Sequence, residues 1–105
     1  MNPKPGEVYL VDLGLSAKIR PAVVVSREDP NSPRALAVLV PLTTRYRRSK
    51  YEAHVGRLRF LRETSWANVQ GIAAIGHDKL ARFLGLVGNT QMIGIRNALS
   101  YLLEL

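Results

Sequence analysis

A small, mostly antiparallel, barrel-like α+β domain with a C-terminal helix is predicted by three features of this sequence. Its 105 residues suffice for one domain, spanning residues 1–105, with a core that needs no staples. All six prolines lie at or before Pro41, so the first part reads as short strands broken by turns and the rest can hold uninterrupted helix. Near the end, Met92, Ile95, Leu99 and Leu102 form one stripe at helical spacing. With few residues left for crossovers, five to seven short strands must pair mostly with their sequence neighbours and take the helix against the sheet.

The elements follow in order. Pro5-Gly6 turns the chain into a strand over Glu7 to Leu13. Pro21 to Ser26 carries Ala-Val-Val-Val and reads as a strand buried on both faces. The cluster Asp29-Pro30-Asn31-Ser32-Pro33 is a turn, and Ala35 to Leu42 is a third strand with Pro41 marking a bulge or an edge. Further strands are expected over Glu52 to Leu58 and Gly71 to Ile75, with a weaker one around Trp66 to Val69. Two helices are expected. One covers His77 to Leu84 and stops at Gly85, and a longer one runs from a Thr90 cap to Leu103. Gly94 inside the second costs about 1 kcal/mol relative to alanine, so packing must hold it.

Composition removes many functions. Hydrophobic residues at 47% and charged residues at 22% describe a globular chain. With no cysteine there is no disulfide framework, thiolate zinc site, iron–sulfur cluster or thiol nucleophile. The longest apolar run, Ala35 to Leu42, is far short of the roughly 20 residues a membrane helix needs. No secretion signal opens the chain, so a cytoplasmic protein that contacts no membrane is expected. Gly85-Leu86-Val87-Gly88 lacks the lysine and hydroxyl of a phosphate-binding glycine loop. His54 and His77 are too far apart in sequence for a helical ligand pair, and neither a metal nor another cofactor is expected.

The charge has a location. The net charge is +7. Arg34, Arg45, Arg47, Arg48, Lys50, Arg57, Arg59 and Arg62 share their segment with one acid, Glu52, so all of the excess lies there. A surface that neutralises phosphates has this distribution. A solvated face maintained for solubility is the other reading.

Cationic and hydroxyl groups can cut RNA without a metal, because RNA carries its own nucleophile. The 2′-OH attacks the neighbouring phosphorus, the 5′-oxygen departs, and a 2′,3′-cyclic phosphate and a 5′-OH remain. The enzyme must accept the 2′-OH proton, stabilise the dianionic phosphorane and assist the leaving oxygen. Arginine matches the phosphorane oxygens with a bidentate fork. Arg20 sits before Pro21, whose ring holds the arginine backbone extended and gives its side chain a defined exit. Thr43-Thr44 ends the third strand immediately before Arg45-Tyr46-Arg47-Arg48. The rings of Tyr46 and Tyr51 offer faces for unpaired bases, whereas Tyr9 and Trp66 read as core or interface. Plainer readings pair Arg20 with Asp12 or Glu7 and leave Thr43-Thr44 as turn residues. A two-histidine acid–base pair of His54 and His77 is a further arrangement for the same reaction.

These residues resemble a known family. Pro5-Gly6-Glu7-Val8-Tyr9 with Val11-Asp12-Leu13-Gly14, Arg20-Pro21-Ala22-Val23-Val24-Val25-Ser26, and Val40-Pro41-Leu42-Thr43-Thr44 resemble the opening strands of MazF/PemK toxin ribonucleases. Lys79-Leu80, Leu84-Gly85-Leu86-Val87 and the helix after Thr90 resemble their closing segment. The resemblance implies an SH3-like barrel of the CcdB/PemK kind, a homodimer, and metal-independent, sequence-selective cleavage of single-stranded RNA. It gives Arg20 the acid–base and phosphate-binding role and gives Thr43 the scissile phosphate or 2′-OH, with Thr44 adjacent. Gln70 is the nearest match to a base-contacting glutamine, although Gly71 intervenes before Ile72. Ser16, Lys18, Arg45, Arg47 and Arg48 complete the RNA-binding set. The implied protein partner is an antitoxin whose acidic tail lies over the RNA groove. Relatives carry a longer glycine-rich loop with an acidic residue, whereas only Leu15-Ser16-Ala17-Lys18-Ile19 separate Gly14 from Arg20 here. A non-nuclease toxin on the same barrel that poisons DNA gyrase, and a non-catalytic nucleic-acid-binding module, are the alternatives.

Overall fold

The computed structural model describes residues 2–12 and 19–105. Seven strands precede one helix: β1 Glu7–Asp12, β2 Ile19–Val24, β3 Leu36–Thr43, β4 Glu52–Gly56, β5 Ser65–Asn68, β6 Ala73–Gly76, β7 Leu80–Leu86 and α1 Asn89–Leu103. Every recorded strand pair is antiparallel. The order is β4-β5-β3-β2-β1-β7, with β6 on β3, and the path is open at β4 and β7. The architecture is therefore the expected barrel-like sheet with a C-terminal helix, curled rather than closed.

Apolar residues on both sides of the central strands explain the double burial. In β2, Val23 enters one apolar cluster, while Ala22 and Val24 enter a second on the opposite face. β1 does the same, with Val8 in the first cluster and Tyr9 and Val11 in the second. The first cluster is closed by α1 through Met92, Ile95 and Ala98. Leu99 and Leu102, half-buried, extend that face, so the expected stripe is the packed one.

β3 organises the site because it changes partner along one edge. Leu36 to Leu39 pair with β6, and Leu42 and Thr43 pair with β5. Pro41 falls in the gap between these two ladders, where its missing N–H leaves no ladder bond broken. A Cβ added to Gly71 would sit 2.6 Å from Pro41 Cγ. Glycine is therefore needed where the 3-10 turn Val69–Gly71 crosses the proline ring.

The expected helix over His77 to Leu84 is not formed. A 3-10 turn spans His77–Lys79, and the rest is strand β7, which pairs with β1 from Glu7↔Leu86 to Val11↔Leu80. The apolar spacing of Leu80, Phe83 and Leu84 suits either form. The edge of β1 left open by β2 decides it, since the segment gains backbone partners there. Register shifts after Val8 and Leu10 fit the two strands together, burying Leu80 and setting Phe83 edge-on to Tyr9 at 5.6 Å. Gly85 is consequently a strand residue against the Phe60 ring and not a helix stop. Likewise Gly88, and not Thr90, is the N-cap of α1; it has no side chain to cap with, and Thr90 lies inside the first turn. Most strand ends shift by one or two residues, and β4 stops at Gly56, whose φ of +79° turns the chain. Leu13, expected to end β1, lies outside the described residues.

Candidate active site

Antiparallel register puts three chemically useful residues on one line across the sheet. Trp66 of β5 is opposite both His54 of β4 and Thr43 of β3. The β2–β3 ladder closes at Ala22↔Pro41, and just beyond it Arg20 of β2 and Thr43 of β3 line one cleft. Directly opposed residues share a face. The row Thr43–Trp66–His54 thus occupies one surface, with Arg20 beside Thr43 in the cleft at its end, while the adjacent row of Leu42, Ala67 and Ala53 faces the buried core. Stretches far apart in sequence meet here because the strands are adjacent.

A cleft of about 270 Å³ opens at the Arg20–Thr43 end of this row. Pro21, Thr44, Arg45, Arg62, Glu63 and Ser65 also contribute to its wall. Arg20 is exposed at its mouth, and no ion pair to Glu7 engages it among the described residues. The Thr43 hydroxyl oxygen accepts the Arg45 N–H at 3.1 Å, which orients the hydroxyl and leaves its proton available to a ligand oxygen. Glu63 is the only carboxylate in this wall among the described residues. Arginines, an oriented hydroxyl and a half-open cleft suit a phosphodiester.

A second cleft, of about 260 Å³, shares Thr43 and Arg45 with the first. Arg47, Ser49, Glu52, Asn68 and Gln70 line the rest. Gln70 therefore stands beside the expected catalytic pair, exposed on the 3-10 turn that the Asn68 side chain caps by accepting the Gln70 N–H at 3.1 Å. Glu52 orders the opposite wall. Its oxygens accept the N–H of Arg47, at 3.1 Å each, and the N–H and hydroxyl of Ser49, at 3.1 and 2.9 Å. Partial burial alone would raise its pKa, but the Arg47 N–H, the two Ser49 bonds and the Arg47 charge outweigh that and lower it.

The structure gathers most of the sequence-derived candidates and separates a few. Arg20, Thr43, Thr44 and Arg45 line the first cleft, and Arg47 and Gln70 line the second with Thr43. Arg48, at a left-handed φ of 57°, lines neither. Ser16 and Lys18 lie outside the described residues. His54 is edge-on to Trp66 at 5.6 Å, whereas His77 lines a small cavity with Ser26 and Arg27, so the two histidines do not share a cleft. Arg62, Glu63 and Ser65 were not singled out by sequence reasoning; the only signal was the membership of Arg62 in the basic segment. Among the described residues no group of three His, Asp or Glu side chains could hold a metal ion, and no helix is long and apolar enough to cross a membrane.

A curled antiparallel sheet backed by one helix, with an arginine–threonine cleft at the end of its central strands, defines a small protein of the toxin-barrel class. The model of the PemK-like, MazF-like toxins of type II toxin–antitoxin systems matches residues 4–103, and the chain belongs to that family. An endoribonuclease from a mycobacterial species is 32% identical, with a TM-score of 0.84, over 100% of this chain and 94% of its own. An endoribonuclease in complex with its cognate antitoxin, also mycobacterial, is 34% identical, with a TM-score of 0.85, over 98% of this chain and 96% of its own. The Mycobacterium tuberculosis toxin MazF-mt6 has the same fold at 21% identity and a TM-score of 0.82, over 94% of this chain and 97% of its own. Comparison with curated proteins gives no match.

Proposed function

We propose that this toxin is a metal-independent, sequence-selective endoribonuclease that cuts single-stranded RNA, leaving 2′,3′-cyclic phosphate and 5′-OH ends. The observation that carries this reading is the convergence of Arg20 and Thr43 on the wall of one cleft. Arg20 places its guanidinium fork on the nonbridging oxygens of the scissile phosphate, where negative charge grows as the 2′-oxygen adds. Thr43, its oxygen held by the Arg45 N–H, donates its hydroxyl proton to the same group. As the 2′-O–P bond forms, the P–O5′ bond breaks. The 2′-OH proton leaves to a base, and a proton reaches the 5′-oxygen, with Arg20 serving in these transfers.

The second cleft receives the flanking nucleotides, with Gln70 at a base and Arg45 and Arg47 at phosphates, while Thr44, Arg48, Ser16 and Lys18 extend the contact surface. The same cationic surface suits the acidic tail of a cognate antitoxin. A homodimer is the assembly we assign, supported by large exposed apolar side chains on β7 and α1, among them Leu86, Ile93 and Leu103. The activity is assigned to the cytoplasm.

Incubation of purified protein with single-stranded RNA in EDTA tests the reading. Fragments carrying cyclic-phosphate and 5′-OH ends are expected, and none from a folded Arg20→Ala protein. Intact RNA after incubation with the unsubstituted protein, or cutting by Arg20→Ala at the parental rate, overturns it.

A further inference from the structure

We propose that the outer face of the Tyr46 ring is a stacking platform for one unpaired base of single-stranded RNA, propped by Trp66 beside the Arg20–Thr43 cleft. This rests on the reading of the chain as an enzyme acting on RNA and specifies how a neighbouring nucleotide is held. Tyr46 and Trp66 lie parallel, with centroids 4.8 Å apart and an interplanar angle of 1°. Trp66 is fixed in turn, since it occupies the sheet row between Thr43 and His54 and meets the His54 ring edge-on. The three rings form a pile that starts on the sheet and ends at Tyr46, which is 47% exposed. A base on that open face adds one further ring.

The platform is ordered before any ligand arrives. The amide after Tyr46, that of Arg47, is held by both oxygens of Glu52, and the amide before it, that of Arg45, is held by the Thr43 hydroxyl. Backbone anchoring on both sides and a parallel ring beneath leave little freedom to lose on binding. The flanking side chains of Arg45, Arg47 and Arg48 are exposed and cationic, so phosphates on either side of the stacked base meet opposite charge. Because Thr43 both anchors this loop and lines the cleft, the stacked base lies next to the bond to be cut. Tyr51 does not offer such a face. It is half-buried, its ring tilts against Tyr101 at 5.2 Å, and it packs beside the core that α1 closes. Base–aromatic stacking tolerates any base, so the platform sets where the strand sits, and base identity falls to polar contacts such as Gln70.

Trp66 is the only tryptophan in the chain, so its emission reports this pile alone. The probe is a short single-stranded oligoribonucleotide, with an abasic residue stepped through its length, added to the uncut-complex variant Arg20→Ala. The intact oligomer is expected to change Trp66 emission, and one abasic position is expected to weaken binding about 10- to 100-fold. Tyr46→Leu in the same background, shown folded by circular dichroism, should bind the intact oligomer about 10- to 100-fold more weakly and be indifferent to that abasic position. Tyr46→Phe should bind as the parent does. Parental affinity in Tyr46→Leu, or undiminished sensitivity to the abasic position, overturns the platform while leaving RNA cleavage standing. If unsubstituted protein neither binds nor cuts the oligomer, the enzymatic reading fails and the platform fails with it.

Discussion

Glu52 accepts hydrogen bonds from the backbone of both Arg47 and Ser49, so the one acid between Arg34 and Arg62 fastens the loop that bears the densest positive charge. Without it, Arg45, Arg47 and Arg48 would repel one another across a free loop. With it, the loop keeps its shape and still presents its guanidinium groups outward. An acid within a cationic surface weakens the field there, and its position explains its presence: it faces backbone amides and sets the geometry of the loop that carries the cations.

Glu52→Gln should therefore lower stability by about 1 kcal/mol near neutral pH, since a charged acceptor of several hydrogen bonds becomes a neutral one in a partly exposed place. The pH dependence has a definite sign. The folded-state pKa lies below the ordinary 4.5, so the unfolded chain takes up the proton first as pH falls. The Glu52 contribution is full above about pH 5 and is lost as pH drops through the folded value. Urea midpoints of parent and variant should differ at pH 7 and converge in strong acid. A constant difference across that range would remove the carboxylate from this role.

Thr43→Val keeps the shape of the strand end and deletes both the acceptor for the Arg45 N–H and the hydroxyl proton that a ligand oxygen could accept. If one transition-state hydrogen bond comes from this hydroxyl, kcat/KM for RNA cleavage should fall about 10- to 100-fold. Thr43→Ser, which keeps the oxygen, should retain most of the rate. Equal rates for valine and threonine would transfer the role to Thr44 or the arginines.

The two halves of the Arg20–Thr43 cleft are legible in the sequence because each is marked by local chemistry. Pro21 fixes the backbone of Arg20, and Pro41-Leu42-Thr43 ends an apolar run. Continuous apolar and β-branched runs bounded by turn residues mark β1 to β3 for the same reason, since such a run is a local property. The expected helix over His77 to Leu84 yields to strand β7 from Leu80 onward because its apolar spacing fits a helix as well as a strand, and only the open edge of β1 decides between them. Leu61, Arg62, Glu63 and Ser65 carry no period at all. They reach the cleft because Leu58, Phe60 and Leu61 pack against the first apolar cluster and bring the loop with them. Trp66 reads as core or interface, and its place between Thr43 and His54 becomes visible only when β5 pairs with β3 and β4.

Two glycine substitutions of opposite sign test the packing that supports the site. Gly71→Ala would drive a methyl into the stiff Pro41 ring, at a separation of 2.6 Å from Cγ. Destabilisation of about 1–3 kcal/mol is expected, with weaker RNA binding as Gln70 is displaced. Gly94→Ala, inside α1, would bring its methyl to an ordinary 3.9 Å from Ala53 Cβ. That change should stabilise the protein by about 0.5–1 kcal/mol through helix propensity and leave RNA binding unaltered. Chemical denaturation of both variants reads the two signs directly.

Salt dependence separates the charged contacts from the stacked one. For single-stranded nucleic acid, log K falls with log salt at a slope of about −0.7 for each phosphate neutralised. Arg20, Arg45, Arg47 and Arg48 on four phosphates would give a slope of roughly −3, and Arg47→Ala should make it shallower by about 0.7. Tyr46→Leu should lower affinity at every salt concentration and leave the slope as it is, because stacking releases no counterions. Arg48 gives the sharpest version of this test, since it stands at a left-handed φ of 57° and lines neither cleft. If its charge meets the strand where the RNA leaves Tyr46, Arg48→Ala should reduce the slope as much as Arg47→Ala does while sparing kcat. A slope untouched by either substitution would place the strand away from this loop and return its arginines to the solvent.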